Sequence, residues 1–185
     1  MRKIIVSEWI TLDGVFDADS MGEWFIPYNS DERAEYIKES IRKAEALLVG
    51  EVTHAMLASY WPNEKNDANG PAQKLNSMLK YVVSPEPLKV EWSNSIIIKE
   101  NIVEEITKLK QQQDGDVLIL GSATLVESLM KTDLIDEYRY LVQPIIMGKG
   151  KRFFKDGMDI TKLKLIETKT FDKGVILLCF QVLKN

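Results

Sequence analysis

The sequence predicts an α/β fold in which a mainly parallel sheet is covered by helices on both faces and ends in an antiparallel hairpin. Short apolar runs alternate with segments of helical periodicity, a pattern typical of buried parallel strands joined by helices. Near the C-terminus, two strand-like segments flank Asp172-Lys173-Gly174, which is a hairpin signal. The chain has 185 residues, 45% of them hydrophobic, so we expect one domain over residues 1–185 with a sizeable core.

The composition disfavours several classes of function. The net charge of −4 and the lack of a Lys/Arg block disfavour binding to nucleic acid or to an anionic membrane. No apolar run approaches the ~18 residues of a membrane span. The N-terminal apolar run is interrupted by Glu8 and Asp13, which indicates a first strand rather than a signal peptide. The single cysteine, Cys179, excludes an intrachain disulfide and favours a reducing, cytoplasmic setting, and one Cys with one His predicts no metal site.

Periodicity predicts the elements in order. Alternation predicts a first strand over 2–12, which Asp13-Gly14 ends and a long loop through Pro27 follows. The other predicted strands occupy 46–50, 80–84, 95–99, 116–120, 137–147, 162–171 and 175–184. Helices are predicted over 31–45, 51–60 and 100–113 and after Gly121-Ser122, with a polar loop at 61–71.

Two of these elements carry more specific expectations. In the helix over 31–45, the apolar stripe comprises Ala34, Ile37, Ile41 and Ala44, and either Ser30 or Asp31 is expected to cap the helix. In the strand over 137–147, Pro144 indicates an edge position or a bulge, because proline cannot donate to a ladder.

Three predicted strands end on small or hydroxyl residues. Gly50 leads to Thr53, Val83 leads to Ser84, and the run before Gly121 leads into Ser122 and a helix. Ligands of open α/β sheets bind beyond the carboxyl ends of the strands. The first N–H groups of a helix lack intrahelical partners and favour negative charge. Each signal is weak alone, but together they predict a site for an anionic ligand.

Other candidate residues leave two interpretations open. Trp24, Phe25 and Tyr28 are either a hydrophobic plug or a wall that stacks on a flat ligand. Glu8 lies on an apolar strand face, where a carboxyl has a raised pKa unless it is paired; a salt bridge or a position at the end of the sheet is the favoured explanation. Asp31 and Glu35 lie one turn apart, with helix capping and solvation as their default roles.

Five segments, in this order and spacing, resemble the dihydrofolate reductase-like superfamily. They are ITLDGVF (10–16), LLVGEVTHAML (47–57), KYVVS (80–84), VLILGSATLVESLM (117–130) and DEYRYLVQPIIMGKGKRFF (136–154). Within that superfamily the chain is similar to the stand-alone relatives of the reductase domain of the bifunctional riboflavin-biosynthesis deaminase–reductase. The resemblance implies a three-layer fold over nearly the whole chain.

The resemblance also implies NADPH as cofactor and distributes its contacts. The nicotinamide is expected near Trp9, Leu12, Asp13 and Gly14. The turn formed by Gly50, Glu51, Val52 and Thr53 is expected to hold the pyrophosphate and adenosine side, with Val83 and Ser84 at the adenine ribose phosphate. The pyrophosphate itself is expected at Gly121, Ser122, Ala123, Thr124 and Leu125. A basic residue commonly follows the glycine that matches Gly50, whereas Glu51 stands here, so NADH is possible.

The resulting hypothesis is an NAD(P)H-dependent oxidoreductase that transfers a hydride to a small, pterin- or pyrimidine-like substrate. Asp31 and Glu35 are weak candidates for the proton donor, and Trp24, Phe25 and Tyr28 for contacts with the substrate. One alternative is a riboflavin-pathway reductase acting on a ribosylaminopyrimidine phosphate bound by Lys149, Lys151 and Arg152. Another is a non-catalytic nucleotide-binding protein. Because relatives often pair and the C-terminal strands are apolar on both faces, a homodimer is expected.

Overall fold

The computed structural model describes residues 1–64, 70–86, 90–112 and 115–184. Its strands are β1 (Ile4–Thr11), β2 (Ala44–Gly50), β3 (Leu79–Val83), β4 (Ser95–Ile98), β5 (Asp116–Ile119), β6 (Glu137–Gln143), β7 (Leu163–Thr170) and β8 (Ile176–Val182). Its helices are α1 (Met21–Trp24), α2 (Asp31–Lys43), α3 (Glu51–Tyr60), α4 (Pro71–Ser77), α5 (Ile102–Gln111) and α6 (Ala123–Met130).

The described strands form one eight-stranded sheet in the order β4-β3-β2-β5-β1-β6-β8-β7. All neighbours from β4 to β6 run parallel, whereas β8 runs antiparallel to both β6 and β7. The predicted fold class is therefore confirmed, including the C-terminal hairpin across Asp172–Gly174.

Helices cover both faces of the sheet because successive side chains of each strand point to opposite sides. On one face, Ile4 and Val6 pack in a core with residues of α5 and α6. On the other face, Ile5 packs with residues of α2 and α4. A third cluster, around Leu141 and Phe171, lies under β6 and β8 and is reached by residues of α2.

Several predicted segments differ from the structure. The segment before Pro27, predicted as a loop, contains α1 and 3-10 turns at Ala18–Ser20 and Ile26–Tyr28. α4 has no counterpart among the predicted helices, and it begins with Pro71, which fits the first turn of a helix because its missing N–H has no intrahelical acceptor there. Residues 65–69 of the predicted polar loop and residue 113 of the predicted helix over 100–113 lie outside the described residues.

Two expectations about residue positions were wrong. β6 is an interior strand, between β1 and β8, and it ends at Gln143 so that Pro144 lies outside the ladder. In α2, Ala34 is exposed while Arg33 is fully buried, so a charged residue occupies the buried face near the helix start. Ser30 is the cap, as its hydroxyl accepts a hydrogen bond from the Arg33 N–H.

Among the helices in the described ranges, none combines the length and apolarity needed to cross a bilayer. The same residues contain no cluster of three or more His, Cys, Asp or Glu side chains that could hold a metal ion.

Candidate active site

The ends of β2 and β5 approach each other so closely that only glycine fits. A Cβ on Gly50 would lie 2.5 Å from Ser122 Oγ, and a Cβ on Gly121 would lie 2.8 Å from Thr53 Cγ2. β2 and β5 are neighbouring parallel strands. These two contacts therefore bring the starts of α3 and α6 together at the side of the sheet where the parallel strands end. This part of the predicted anion site is therefore assembled as one surface, which we call the strand-end edge (Gly50–Thr53, Val83–Ser84 and Gly121–Leu125).

The backbone at the start of α6 has an unusual conformation. Gly121 has φ of 73° and Ser122 has φ of 71°, and the Ser122 hydroxyl accepts a hydrogen bond from the Leu125 N–H at 3.4 Å. A left-handed conformation costs a residue with a side chain about 1–2 kcal/mol. Ala123 and Leu125 turn their side chains into the core, so only their backbone groups can meet a ligand.

The start of α3 carries no side-chain cap, which leaves its first N–H groups available at the strand-end edge. Val52 there is 74% exposed, and Thr124 on α6 is also exposed. Two helix N-termini with few side-chain caps thus lie side by side, and both favour negative charge.

A carboxylate lies at the part of the strand-end edge next to β3. Glu51 Oε2 lies 2.5 Å from the hydroxyl of Ser84, which is fully buried at the end of β3. No cation offsets Glu51 nearby within the described ranges: Lys80 donates to the carbonyls of Leu75 and Met78, and Lys74 pairs with Glu45 at 3.3 Å. This position therefore suits hydroxyl groups better than a phosphate.

A cavity of about 940 Å³ opens beside the strand-end edge. It lies beside Ser7–Trp9 of β1 and past the end of β5, and residues of α1, α2, α3 and α4 line it. Two residues of the strand-end edge, Thr53 and Gly121, are also part of the cavity wall. The sequence-predicted residues in the lining are Trp9, Trp24, Phe25, Asp31, Glu35, Thr53 and Gly121.

Aromatic side chains form one wall of the cavity. The rings of Trp9 and Phe25 stack with centroids 4.4 Å apart, and Trp24 meets Phe25 edge-on at 6.0 Å. The Trp24 indole N–H donates to the Asp17 carbonyl at 3.0 Å, which fixes the ring in the wall. Trp24 is only 2% exposed and packs behind Phe25 like a plug, Phe25 lines the cavity, and Tyr28 packs against the cluster around Phe171. Stacking of Phe25 on a flat ligand stays a prediction.

Arg33 holds this wall from behind. Its guanidinium carbon lies 4.2 Å from the centre of the Phe25 ring, and its nitrogens donate to Gln143 Oε1 at 3.1 Å and Asn29 Oδ1 at 3.0 Å. Burial lowers the pKa of Arg33 to about 10, and Nε has no hydrogen-bond partner among the described residues. Burying a guanidinium without a carboxylate partner lowers the stability of the fold. We therefore attribute the position of Arg33 to its contacts with Phe25, Asn29 and Gln143, which order the aromatic wall.

The residues expected to lie near the nicotinamide, at the end of β1, instead stabilise the loops around that strand end. Asp13 accepts hydrogen bonds from the Thr11 hydroxyl and from the N–H groups of Met147 and Gly148. Burial opposes its charged form, but these hydrogen bonds outweigh it and lower the pKa of Asp13 to about 2. Leu12, Asp13 and Gly14 are outside the cavity lining, and Leu12 is 65% exposed.

The charged residues of the cavity are mostly carboxyls. Asp31 and Glu35 are exposed on α2, and Glu35 pairs with Lys38 at 3.0 Å, the single cation in the described lining. Glu8 is only 4% exposed and accepts a hydrogen bond from the Gly121 N–H at 2.8 Å. The expected salt bridge of Glu8 is absent from the described residues, and Glu8 lies within β1, beside the end of β5, rather than at the end of the sheet.

The loop proposed for a substrate phosphate lies elsewhere. Lys149, Lys151 and Arg152 are exposed and do not line the cavity. Arg152 donates to the Asp13 carbonyl and pairs with the Asp13 carboxylate at 3.5 Å. The sequence did not reveal the burial of Arg33, because a charged residue beside an apolar stripe normally faces solvent.

The chain is similar to known proteins over nearly its whole length. The family model described as "RibD C-terminal domain" matches residues 2–177. The protein YyaP of Bacillus subtilis (strain 168) is 31% identical over 179 residues, which are 95% of this chain and 92% of YyaP.

Two solved structures share the fold at low sequence identity. A pyrimidine reductase-like protein from Corynebacterium diphtheriae has a TM-score of 0.68 and 14% identity, covering 100% of this chain and 93% of its own. A diaminohydroxyphosphoribosylaminopyrimidine deaminase/5-amino-6-(5-phosphoribosylamino)uracil reductase from Thermotoga maritima has a TM-score of 0.69 and 16% identity, covering 98% of this chain and 57% of its own. The resemblance inferred from the sequence motifs is confirmed.

Proposed function

The chain belongs to the RibD C-terminal domain family, and from that premise we propose that it is a reductase that uses a reduced nicotinamide dinucleotide. The observation that carries the proposal is the shared wall: Thr53 and Gly121 belong both to the strand-end edge and to the aromatic-walled cavity. A dinucleotide bound along the edge would therefore have one end at the cavity. The family is typically NADPH-dependent.

The residues of the strand-end edge fit a dinucleotide. The N–H groups at the starts of α3 and α6 would hold the pyrophosphate, because both helix N-termini favour negative charge. The partly exposed Glu51 carboxylate, which the hydroxyl of the buried Ser84 orients, would accept hydrogen bonds from the hydroxyls of the adenine ribose. When bound, the nicotinamide supplies a hydride; the protein orients the reactants and excludes water from the cavity.

Glu51 bears on the choice between the two nicotinamide cofactors. Its carboxylate would repel the 2′-phosphate of NADPH, while it can accept a hydrogen bond from the 2′-hydroxyl of NADH. The proposed reductase therefore accepts NADH at least as well as NADPH, a departure from the typical cofactor of the family.

The substrate that suits the cavity is flat, uncharged and free of phosphate. The stacked rings of Trp9 and Phe25 favour a heterocycle or a conjugated carbonyl compound. Apart from Glu8, the charged groups of the described lining are Asp31, Glu35 and the paired Lys38, and the carboxylates disfavour a phosphorylated ligand. A small pterin- or pyrimidine-like molecule without a ribosyl phosphate meets these conditions.

Titration calorimetry with NADPH and NADH, at low and moderate salt, is the primary test. We expect binding that is weakened by Ser122→Asp and by Thr53→Ala, because the first adds a negative charge at the pyrophosphate position and the second removes a hydroxyl at the shared wall. Oxidation of the bound cofactor by a panel of pterins, pyrimidines and carbonyl compounds then tests turnover. If neither dinucleotide binds, the proposal is wrong.

The family match favours one other candidate, the pyrimidine reduction for which the Thermotoga maritima protein is named. That reaction needs a site for a ribosyl phosphate, and the cations of the loop are Lys149, Lys151 and Arg152. Turnover of a ribosylaminopyrimidine phosphate that is lost on Lys151→Ala and Arg152→Ala would support it. Cofactor binding without turnover of any compound would instead support a binding protein.

We also propose a homodimer formed through β7. All eight residues of this edge strand are exposed, including Leu163, Leu165 and Ile166, and its outer backbone N–H and C=O groups have no neighbouring strand among the described residues, so it can pair with another chain. Light scattering is expected to give twice the monomer mass for the wild type and a smaller mass for Leu165→Lys. A monomeric wild type would refute the dimer. A cytoplasmic location remains a prediction, which cell fractionation can test.

A further inference from the structure

Glu8 lies where the central sheet loses a strand. β1 pairs with β5 only as far as Val6, opposite Ile119, but continues along β6 to Thr11. Beyond this point β5 gives way to Gly121 and α6, which leaves a gap beside β1. The Glu8 side chain occupies the gap, is 4% exposed and lines the cavity.

One hydrogen bond orients the Glu8 carboxyl. The Gly121 N–H donates to Oε1 at 2.8 Å, and within the described ranges no cation lies within ion-pair distance of either oxygen. No hydrogen bond to Oε2 is found among the described residues, and Glu8 is one of the residues that line the cavity. Since Gly121 is also part of the strand-end edge, the carboxyl stands at the junction of that edge with the cavity.

The titratable groups around Glu8 do not stabilise its charge. Tyr140 is its register partner on β6, with Tyr138 stacked on Tyr140 at 5.7 Å. From the helices packed over the cavity, the ionisable lining residues are Asp31, Glu35, Lys38 and Tyr60. Lys38 is held by Glu35, so the nearby charge is mainly negative.

Burial raises the pKa of Glu8 to about 8, although the hydrogen bond from Gly121 lowers it in part. At pH 7 the neutral acid would then outnumber the carboxylate about tenfold. A group whose pKa lies near the working pH can both hold and give up a proton. Burying a carboxyl at this position costs more free energy than burying an apolar side chain of similar size. Packing alone therefore does not explain why a glutamate stands at position 8.

We propose that Glu8 is the proton donor of the cavity, passing the proton on Oε2 to a nitrogen or oxygen atom of the flat substrate. This inference rests on the proposed function, in which the reduced nicotinamide is the two-electron reductant. The O–H bond of Glu8 breaks, an N–H or O–H bond forms on the substrate, and the neighbouring carbon gains the hydride. The carboxylate that remains takes up a proton from solvent.

The proposal replaces the two donors suggested by the sequence. Asp31 and Glu35 are solvent-exposed at the cavity rim, and Glu35 pairs with Lys38. Glu8 is the carboxyl that is both buried and joined to the strand-end edge. Its partner Gly121 is 113 positions away in sequence, so no local motif reveals the pair.

The first experiment measures the proton without turnover. Infrared spectra of the wild type, recorded from pH 5 to pH 10, are expected to contain a protonated-carboxyl band that persists at pH 7 and disappears near pH 8. Glu8→Gln should lack this band, while Glu104→Gln, which alters an exposed residue of α5, should retain it. If the wild type has no such band at pH 7, or Glu8→Gln keeps it, the proposal is wrong.

The second experiment separates this proposal from the proposed function. With a substrate found in the screen, Glu8→Gln should slow single-turnover hydride transfer about 10²–10⁴-fold, remove its alkaline limb near pH 8 and leave the dissociation constant of the dinucleotide within about threefold. Glu8→Asp should restore part of the rate. Unchanged hydride transfer in Glu8→Gln would overturn the role of Glu8 alone. Absence of dinucleotide binding in the wild type would overturn the proposed function and this role with it.

Discussion

The strand-end edge and the aromatic cavity adjoin at Thr53 and Gly121, yet they are built in opposite ways. The edge consists of backbone N–H groups and small residues, contributed by short contiguous turns after β2, β3 and β5. The cavity consists of large side chains from β1 and four helices, braced by Arg33 and closed below by Glu8. In the proposed reductase, backbone groups of the edge would bind the dinucleotide, whereas the cavity would select the substrate and Glu8 would supply the proton.

The two regions also differ in buried charge. At the edge the one notable carboxylate, Glu51, is bonded to Ser84 and partly exposed. Beside the cavity, Arg33 and Glu8 are both buried without an oppositely charged partner in the described residues. Buried ionisable groups without an oppositely charged partner lower the free energy of unfolding and are commonly kept because they serve function. Replacing Glu8 beside the cavity should therefore raise stability but lower activity.

The largest expected effect is on the pH dependence of stability, and it belongs to the cavity. The folded-state pKa of Glu8, about 8, exceeds its usual 4.5, so the folded protein binds more protons between these values. Its free energy of unfolding should therefore fall as pH rises from about 5 to 9, by several kcal/mol. In Glu8→Gln this loss should be absent, as measured by urea denaturation across that pH range.

Asp13 supplies the control of opposite sign. Its pKa is lowered to about 2, so its contribution is present above its usual 3.8 and is lost as pH falls through 2. Asp13→Asn should flatten the acid limb and leave the alkaline limb unchanged. Identical alkaline limbs for the wild type and Glu8→Gln would contradict the assignment.

Gly121→Ala should have the next largest effect, on the strand-end edge. The new Cβ would sit 2.8 Å from Thr53 Cγ2 at a positive φ, so we expect the free energy of unfolding to fall by about 3 kcal/mol. Dinucleotide binding should weaken at least tenfold. Gly22→Ala is the matched control, because nothing lies within 4 Å of its Cβ, and it should leave binding unchanged.

Arg33→Met should act on the cavity and spare the edge. It leaves the acceptor atoms of Gln143, Asn29 and Phe25 unpaired, which should lower the free energy of unfolding by about 2 kcal/mol. Substrate KM should rise more than the dinucleotide dissociation constant, because Phe25 loses its support. Arg42→Met removes only an exposed ion pair and should change stability by less than about 0.5 kcal/mol. An equal loss of both affinities in Arg33→Met would show that the two regions are not independent.

The smallest expected effect concerns Glu51. Glu51→Gln removes the charge that opposes a 2′-phosphate, so the ratio of NADPH to NADH affinity should rise about tenfold, or about 1.4 kcal/mol. The rise should shrink at high salt, because the position is partly exposed. Glu104→Gln should leave the ratio unchanged. A ratio unaffected by Glu51→Gln would mean that the adenine ribose lies elsewhere.

The sequence by itself determined the sheet, most helices and the strand-end edge. Strand alternation, helical periodicity and the small residues after each strand are local signals, and parallel strands necessarily bring their ends to one side. Gly50, Thr53, Gly121 and Ser122 can therefore be grouped from the order of strands and helices along the chain. α4 was not predicted, because its seven residues begin with Pro71 and are too few to show a helical periodicity of apolar residues.

Only the tertiary structure decided the cavity. Arg33 meets Gln143 across 110 positions, and Glu8 meets Gly121 across 113, so their burial depends on neighbours that no local pattern announces. The same holds for Tyr28, which packs against Phe171 rather than in the cavity. Backbone-built sites follow from secondary structure, whereas the environment of a buried charge exists only once distant segments have packed around it.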